Sequence, residues 1–155
     1  MCAVTESSHK LSTIELSVPS ELGYEKVVRD TIAAFARRLG FDNERIDDLK
    51  TAIGEACINA IEHGNGGVPD QRISVSCICE DERLTVEVRD RGVKPYDGHA
   101  AVPSIEQKLQ GIAPLRGMGL MLIAQLVDEA DFTNHPAGGN LFRLSLYRRR
   151  DAAHP

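Results

Sequence analysis

No stretch of about 18 apolar residues occurs in the chain, so it offers no candidate transmembrane helix. Tryptophan is absent and aromatic residues make up only 5% of the total, which removes the stacking platforms that hold single-stranded bases. A basic tract is also missing. Lys and Arg number 18 against 23 Asp and Glu, a formal charge of −5, and this balance argues against direct binding of nucleic acid. The first ten residues are polar and lack an apolar segment, so no secretory signal is expected and a cytoplasmic location follows. The four cysteines are Cys2, Cys57, Cys77 and Cys79. A single Cys-x-Cys without a second close pair is poor zinc spacing, and small buried hydrophobes in a reducing compartment explain these residues better. The five histidines, among them His9, His99 and His154, show no ligand spacing either. What remains is ordinary for a globular domain: 155 residues, 42% hydrophobic and 26% charged. One domain of this size buries roughly 68–70% of the surface its unfolded chain exposes.

Periodicity divides the chain into elements. Residues 13–18 alternate polar and apolar and predict a half-buried strand ended by Pro19 and Ser20. Val28, Ile32, Phe35 and Leu39 recur at helical spacing, giving a first helix over about residues 21–39 that Gly40 stops. Asp42 or Asn43 can cap a second helix whose stripe is Ile46, Leu49, Ile53, Ala56, Cys57 and Ala60, ended by the glycines at 64, 66 and 67. Ile73, Val75, Cys77 and Cys79, then Leu84, Val86 and Val88, alternate on either side of a turn and predict a hairpin. Residues 92–116 show no clear period, as functional lids often do; a short helical pattern lies at 104–109. A third helix starts near Gly117 and carries Leu120, Ile123, Ala124 and Val127. Two closing strands fit residues 130–134 and 140–147. The expected architecture is an α+β two-layer sandwich, with a mostly antiparallel mixed sheet covered on one face by three helices.

Three segments can carry chemistry. In the second helix, Glu55, Asn59 and Glu62 fall within one narrow arc facing away from the apolar stripe. Any amphipathic helix shows such an arc. A carboxylate and an amide one turn apart can also share a ligand, with Asn59 offering a neutral oxygen to a hard cation and Glu55 acting as a general base. The second segment is Asp90-Arg91-Gly92 at the end of a strand. An ordinary turn uses these residues, and so does a pocket floor where Asp90 accepts from an exocyclic amine and Gly92 permits close approach. The third is Arg116-Gly117-Met118-Gly119-Leu120 at a helix start. Free N–H groups there suit phosphate, and Arg116 adds a charged donor.

In order, Glu55-Ala56-Cys57-Ile58-Asn59-Ala60-Ile61-Glu62-His63-Gly64, Asp90-Arg91-Gly92 and Gly117-Met118-Gly119-Leu120 closely resemble the nucleotide-binding boxes of the histidine-kinase-like (Bergerat, GHKL) ATPase superfamily. Within it the chain looks most like the anti-sigma-factor serine/threonine kinases. Pro95-Tyr96-Asp97 and the ending Val127-Asp128-Glu129 through Gly138-Gly139-Asn140 to Phe142-Arg143-Leu144 also fit. The likeness spans residues 12–147, leaving 1–11 and 148–155 as flexible termini. It implies ATP or ADP as ligand, with Mg2+ on Asn59, adenine on Asp90 and Gly92, and phosphate on Gly117 and Gly119. Asn140 would lie near the adenine, and the resemblance places His63, Arg116, Met118 and Leu120 in the same site, although His63 also suits a helix end. Glu55 would be the base that deprotonates a serine or threonine. One departure is Val93-Lys94, where many relatives carry a second glycine.

The resemblance implies a cytoplasmic kinase that phosphorylates a STAS-type anti-sigma antagonist and binds a sigma factor in competition with it. Arg29, on the exposed side of the first helix, stands where such kinases use an arginine toward partners; a solvated arginine is the simpler reading. Homodimerisation is plausible for the subfamily. The alternative function is a non-catalytic ATP/ADP-binding module that sequesters or activates a signalling partner.

Overall fold

A computed structural model describes residues 11–64, 66, 70–92, 117–134 and 137–148, with the backbone alone for His63 and residues 117–120. Its elements are β1 (Leu11–Pro19), α1 (Tyr24–Arg38), α2 (Asn43–Asn59), a π-helical turn (Ala60–Gly64), β2 (Arg72–Glu80), β3 (Arg83–Arg89), α3 (Gly117–Leu126), β4 (Glu129–Asn134) and β5 (Asn140–Tyr147). The strands form one sheet in the order β1-β2-β3-β5-β4. Every neighbouring pair is antiparallel, in keeping with the mostly antiparallel sheet read from the sequence. The fragment predicted helical at 104–109 and the aperiodic segment from Val93 to Arg116 lie outside the described residues.

Local chemistry sets the boundaries. β1 runs longer than the alternation at 13–18 because Pro19 still pairs opposite Arg72, an edge position where its missing N–H costs no ladder bond. α1 starts at Tyr24 and not near Glu21, because Glu21 closes a turn in which its carbonyl accepts from Tyr24 N at 3.2 Å. α2 is capped by Asp42, whose carboxylate accepts from Arg45 N at 2.8 Å, satisfying one of the amides a helix start leaves open. The hairpin between β2 and β3 turns on Asp81 and Glu82, with Asp81 at φ 55°.

The core lies between the helices and one face of the sheet. From α2 it takes the whole expected stripe: Ile46, Leu49, Ile53, Ala56, Cys57 and Ala60 are all buried. Opposite stand Ile73, Val75, Cys77, Leu84, Val86 and Leu144. Val28, Ile32 and Ala36 add the α1 face, and Ile123 the α3 face. Ala124, expected on the α3 stripe, is exposed, because it lies one residue, about 100°, round from Ile123. The other sheet face is polar, and Arg143 Nε there donates to Glu87 Oε1 across the strands at 2.9 Å. Among the described residues, no helix is long and apolar enough to cross a membrane.

Cys57, Cys77 and Cys79 are free thiols and are all buried. Burial first, then the nearby Glu25 carboxylate, pushes the Cys57 thiol from 9.0 up to about 12. Burial also pushes Cys77 and Cys79 up. The folded chain therefore holds these protons after the unfolded chain has released them. For Cys57, stability present below pH 9 is lost as pH rises from there toward 12, by about 1.4 kcal/mol per pH unit. Urea unfolding of the protein and of Cys57→Ala at pH 8 and pH 10 measures this. The variant should lose less stability across that interval, and equal losses would contradict the assignment.

Candidate functional site

Asp90 follows β3 directly and is 4% exposed. A carboxylate taken so far from water needs hydrogen bonds, and the chain supplies them at one oxygen. Asp90 Oδ1 accepts from the backbone N–H of Gly92 at 2.9 Å and of Asn140 at 2.9 Å. Asn140 Nδ2 adds a longer contact at 3.3 Å to each oxygen. Asp90 N in turn donates to Asn140 O at 3.1 Å. Asp90 Oδ2 thus has one long contact among the described residues, and a carboxylate oxygen so placed retains room for another donor.

Three glycines crowd this carboxylate. A Cβ on Gly64 would overlap Asp90 Oδ2, one on Gly92 would overlap the Gly64 carbonyl, and one on Gly139 would overlap the Asp90 carbonyl. Gly139 also sits at φ +82°, where an L side chain is strained. The end of the π-turn, the exit of β3 and the entry to β5 therefore meet at one buried acid without side chains between them.

Asn59 is the last residue of α2 and is half-buried. Its Nδ2 is buried without a hydrogen-bond partner, which is costly unless something else engages the amide. The helix widens immediately afterwards into the π-turn that ends at Gly64, a distortion that recurs at functional sites. One turn before Asn59, Glu55 is half-buried in a groove of about 430 Å³ between α1 and α2, shared with Glu25, Lys26, Arg29, Lys50 and Ile58. Gly54 lies there too, with no atom within 4 Å of an added Cβ.

The structure brings Asp90, Gly92 and Asn140 together. It gives Asn59 an unsatisfied amide and puts Glu55 on the same helix. Gly117 and Gly119 open α3, whose first amides lack intrahelical acceptors. The side chains of His63, Met118 and Leu120, and all of Arg116, lie outside the described residues. Arg29 lines the Glu55 groove, with about a third of its side chain (35%) exposed. Its Nε donates to Asp30 Oδ1 at 3.0 Å and holds that carboxyl below its ordinary value. Sequence reasoning placed Gly64 in the first box and at the helix end, and Gly139 in a turn within the closing likeness, but gave neither a contact with Asp90. The pair Gly138-Gly139 directly before Asn140 was the available signal for close approach. Among the described residues no group of three or more His, Cys, Asp or Glu can hold a metal ion.

A family model described as the histidine kinase-like ATPase domain matches residues 18–146. Curated relatives include serine-protein kinase RsbW of Bacillus subtilis (strain 168), 33% identical over 130 residues that cover 79% of this chain and 78% of the relative. Serine-protein kinase RsbW of Halalkalibacterium halodurans is 30% identical over 150 residues, covering 92% of this chain and 88% of the relative. Among solved structures, one of the RsbU and RsbW domains of a Mycobacterium tuberculosis protein matches with a TM-score of 0.63 and 23% identity. That match covers 88% of this chain and 32% of the solved one, and it supports the fold.

The two glycines of this region should respond oppositely to alanine. Gly64→Ala forces a methyl onto Asp90 and should lower stability by about 1–3 kcal/mol. Gly54→Ala meets open space within a helix and should raise stability by about 0.5–1 kcal/mol. Urea unfolding of both variants reads the contrast, and a neutral Gly64→Ala would mean that the approach to Asp90 is not close.

Proposed function

The chain belongs to the histidine kinase-like ATPase domain family, and from that premise we propose that it is a cytoplasmic, ATP-dependent anti-sigma regulatory factor. In this reading it is a serine/threonine protein kinase that phosphorylates a STAS-type anti-sigma antagonist and binds a sigma factor. The observation that carries the nucleotide part is Asp90, buried, bonded at Oδ1 and underused at Oδ2. The names of the curated relatives support the kinase part.

The adenine amino group donates to Asp90 Oδ2, and the bare backbones of Gly64 and Gly92 let the π-turn and the exit of β3 close around that carboxylate. Asn140 acts from behind, holding the carboxylate in place. Amides at Gly117 and Gly119 face the phosphates, where the positive end of α3 favours anionic groups. Arg116, Met118, Leu120 and His63 belong to the same site by their place in the family motifs.

The residues present suit Mg2+. The Asn59 amide has an end without an internal partner, and a half-turn about its terminal bond exchanges nitrogen for oxygen. Asn59 would hold the ion together with phosphate oxygens and water, the ligand mix this cation prefers. Bound there, Mg2+ supplies neutralisation of phosphate charge.

Transfer then needs orientation and a proton acceptor. The Glu55 carboxylate takes the proton from the serine or threonine hydroxyl as that oxygen bonds to the γ-phosphorus. The bond from γ-phosphorus to the bridging oxygen breaks, and ADP leaves with the electron pair. The product carries about 1.5–2 additional negative charges on its docking surface, which weakens its complex with the kinase and leaves the kinase to the sigma factor.

Titrating ATP with Mg2+ into the wild type and Asp90→Asn tests the site. Micromolar binding is expected, weakened by about 10-fold or more in the variant, as for loss of a hydrogen bond to a charged group. A wild type that binds neither ATP nor ADP would overturn the reading. Glu55→Gln should retain ATP binding and lose phosphate transfer to the antagonist. Transfer at the wild-type rate would remove Glu55 as the base. Nucleotide-dependent partner binding by a wild type that yields no phosphoprotein would make the domain a binding module.

A further inference from the structure

At the end of the helices away from Asn59 lies an ion pair, buried on its arginine side and reached by solvent on its aspartate side, that none of the nucleotide motifs includes. Arg45, in the first turn of α2, is 3% exposed. Its guanidinium bonds Asp128, just beyond α3, and its Nε donates to Tyr147 O at 3.1 Å. Asp128 Oδ2 also accepts from Tyr147 N at 2.8 Å, and Asp128 N donates to Ser145 O at 3.0 Å. The last turn of α3 is closed by Val127 N donating to Ile123 O at 3.1 Å. The start of α2, the end of α3 and the end of β5 are thus tied at one point.

An ion pair open to solvent on one side gives little net stability, and apolar residues of similar volume often replace a buried charge without loss. What charges and a planar guanidinium add is direction. We propose that Arg45 and Asp128 are positioning residues that fix α3 along α2, and so fix the phosphate-facing amides at Gly117 and Gly119 relative to Asn59. This rests on the nucleotide-binding reading above. The lever is short and stiff: Arg45 and Asn59 are 59 − 45 = 14 residues apart on α2, about 21 Å of helix. The adenine-facing group hangs on β3, β5 and the π-turn, none of which is part of α3. Displacing α3 therefore acts on the phosphates and spares the base.

The test compares ATP with adenosine. The double variant Arg45→Met/Asp128→Leu keeps the volume apolar and should unfold near the wild-type urea midpoint. It should bind ATP about tenfold more weakly, a typical size for coupling through packed elements, while adenosine binding, followed by NMR, stays unchanged. Asp128→Asn is the milder second variant if the double variant does not fold, with a smaller loss in the same direction. Equal losses for ATP and adenosine, or no loss for either, would overturn the proposal. Hydrogen exchange on the nucleotide-free proteins gives an independent readout. Amides of residues 121–126 should exchange faster in Asp128→Asn, with those of β2 and β3 unchanged. A uniform rise, or none, would reject a positioning role, whereas a wild type that binds no nucleotide but loosens locally in this way would reject the nucleotide reading and leave the fixing of α3 in place.

Discussion

A buried carboxylate sets the terms for the functional end of this fold. Asp90 lies out of water, so its oxygens must find donors, and two of those donors are backbone amides: its near neighbour Gly92 and Asn140, fifty residues further along the chain. Satisfying the acid therefore fastens the exit of β3 to the entry of β5. The same crowding dictates composition around it. Gly64, Gly92 and Gly139 each lie where a methyl would strike the Asp90 cluster. One acid thus accounts for the link between β3 and β5 and for three glycines, and among the described residues one of its oxygens has a single long contact.

α2 joins that site to the core. Its inner face is a continuous apolar stripe against β2, β3 and β5, and its outer arc holds Glu55 and Asn59. The helix then abandons regular geometry for a π-turn after Asn59. The distortion falls where the chain must leave the core packing and bring Gly64 against Asp90. The orphaned Asn59 amide and the widened turn are both local costs, borne next to the residues that the proposed chemistry uses.

Much of this was legible in the sequence because it depends on short-range pattern. The α2 stripe, the hairpin of β2 and β3 and the Asp90-x-Gly92 exit are all written within a few residues of themselves. Boundaries were less legible: Pro19 stays in β1 because it occupies an edge, and Glu21 forms a turn before α1. The surroundings of Arg29 were less legible because they depend on what packs beside its helix, and α2 supplies one wall of its groove. The Arg45–Asp128 pair was illegible for a plainer reason. Its partners are 83 residues apart, and an arginine in a helix's first turn looks like a solvated one until the end of α3 and β5 close over it. Glycine contacts are similar: Gly139 reads as a turn until its neighbour is known to be Asp90.

The clasp between Asp90 and Asn140 encloses a loop of chain in which Val93 to Arg116 is only one part. Closing a loop costs entropy that grows with the logarithm of its length, so doubling it adds only about 0.6 kcal/mol. The clasp is therefore nearly indifferent to how many residues it encircles. Between Gly92 and Gly117, insertions and deletions are thermodynamically cheap, whereas a single added methyl at Gly64 or Gly139 is not. Variation in length and variation in side chain thus fall under opposite constraints around one carboxylate: the enclosed chain can change its length at little cost in closure, whereas the glycines packed against the acid cannot gain a side chain.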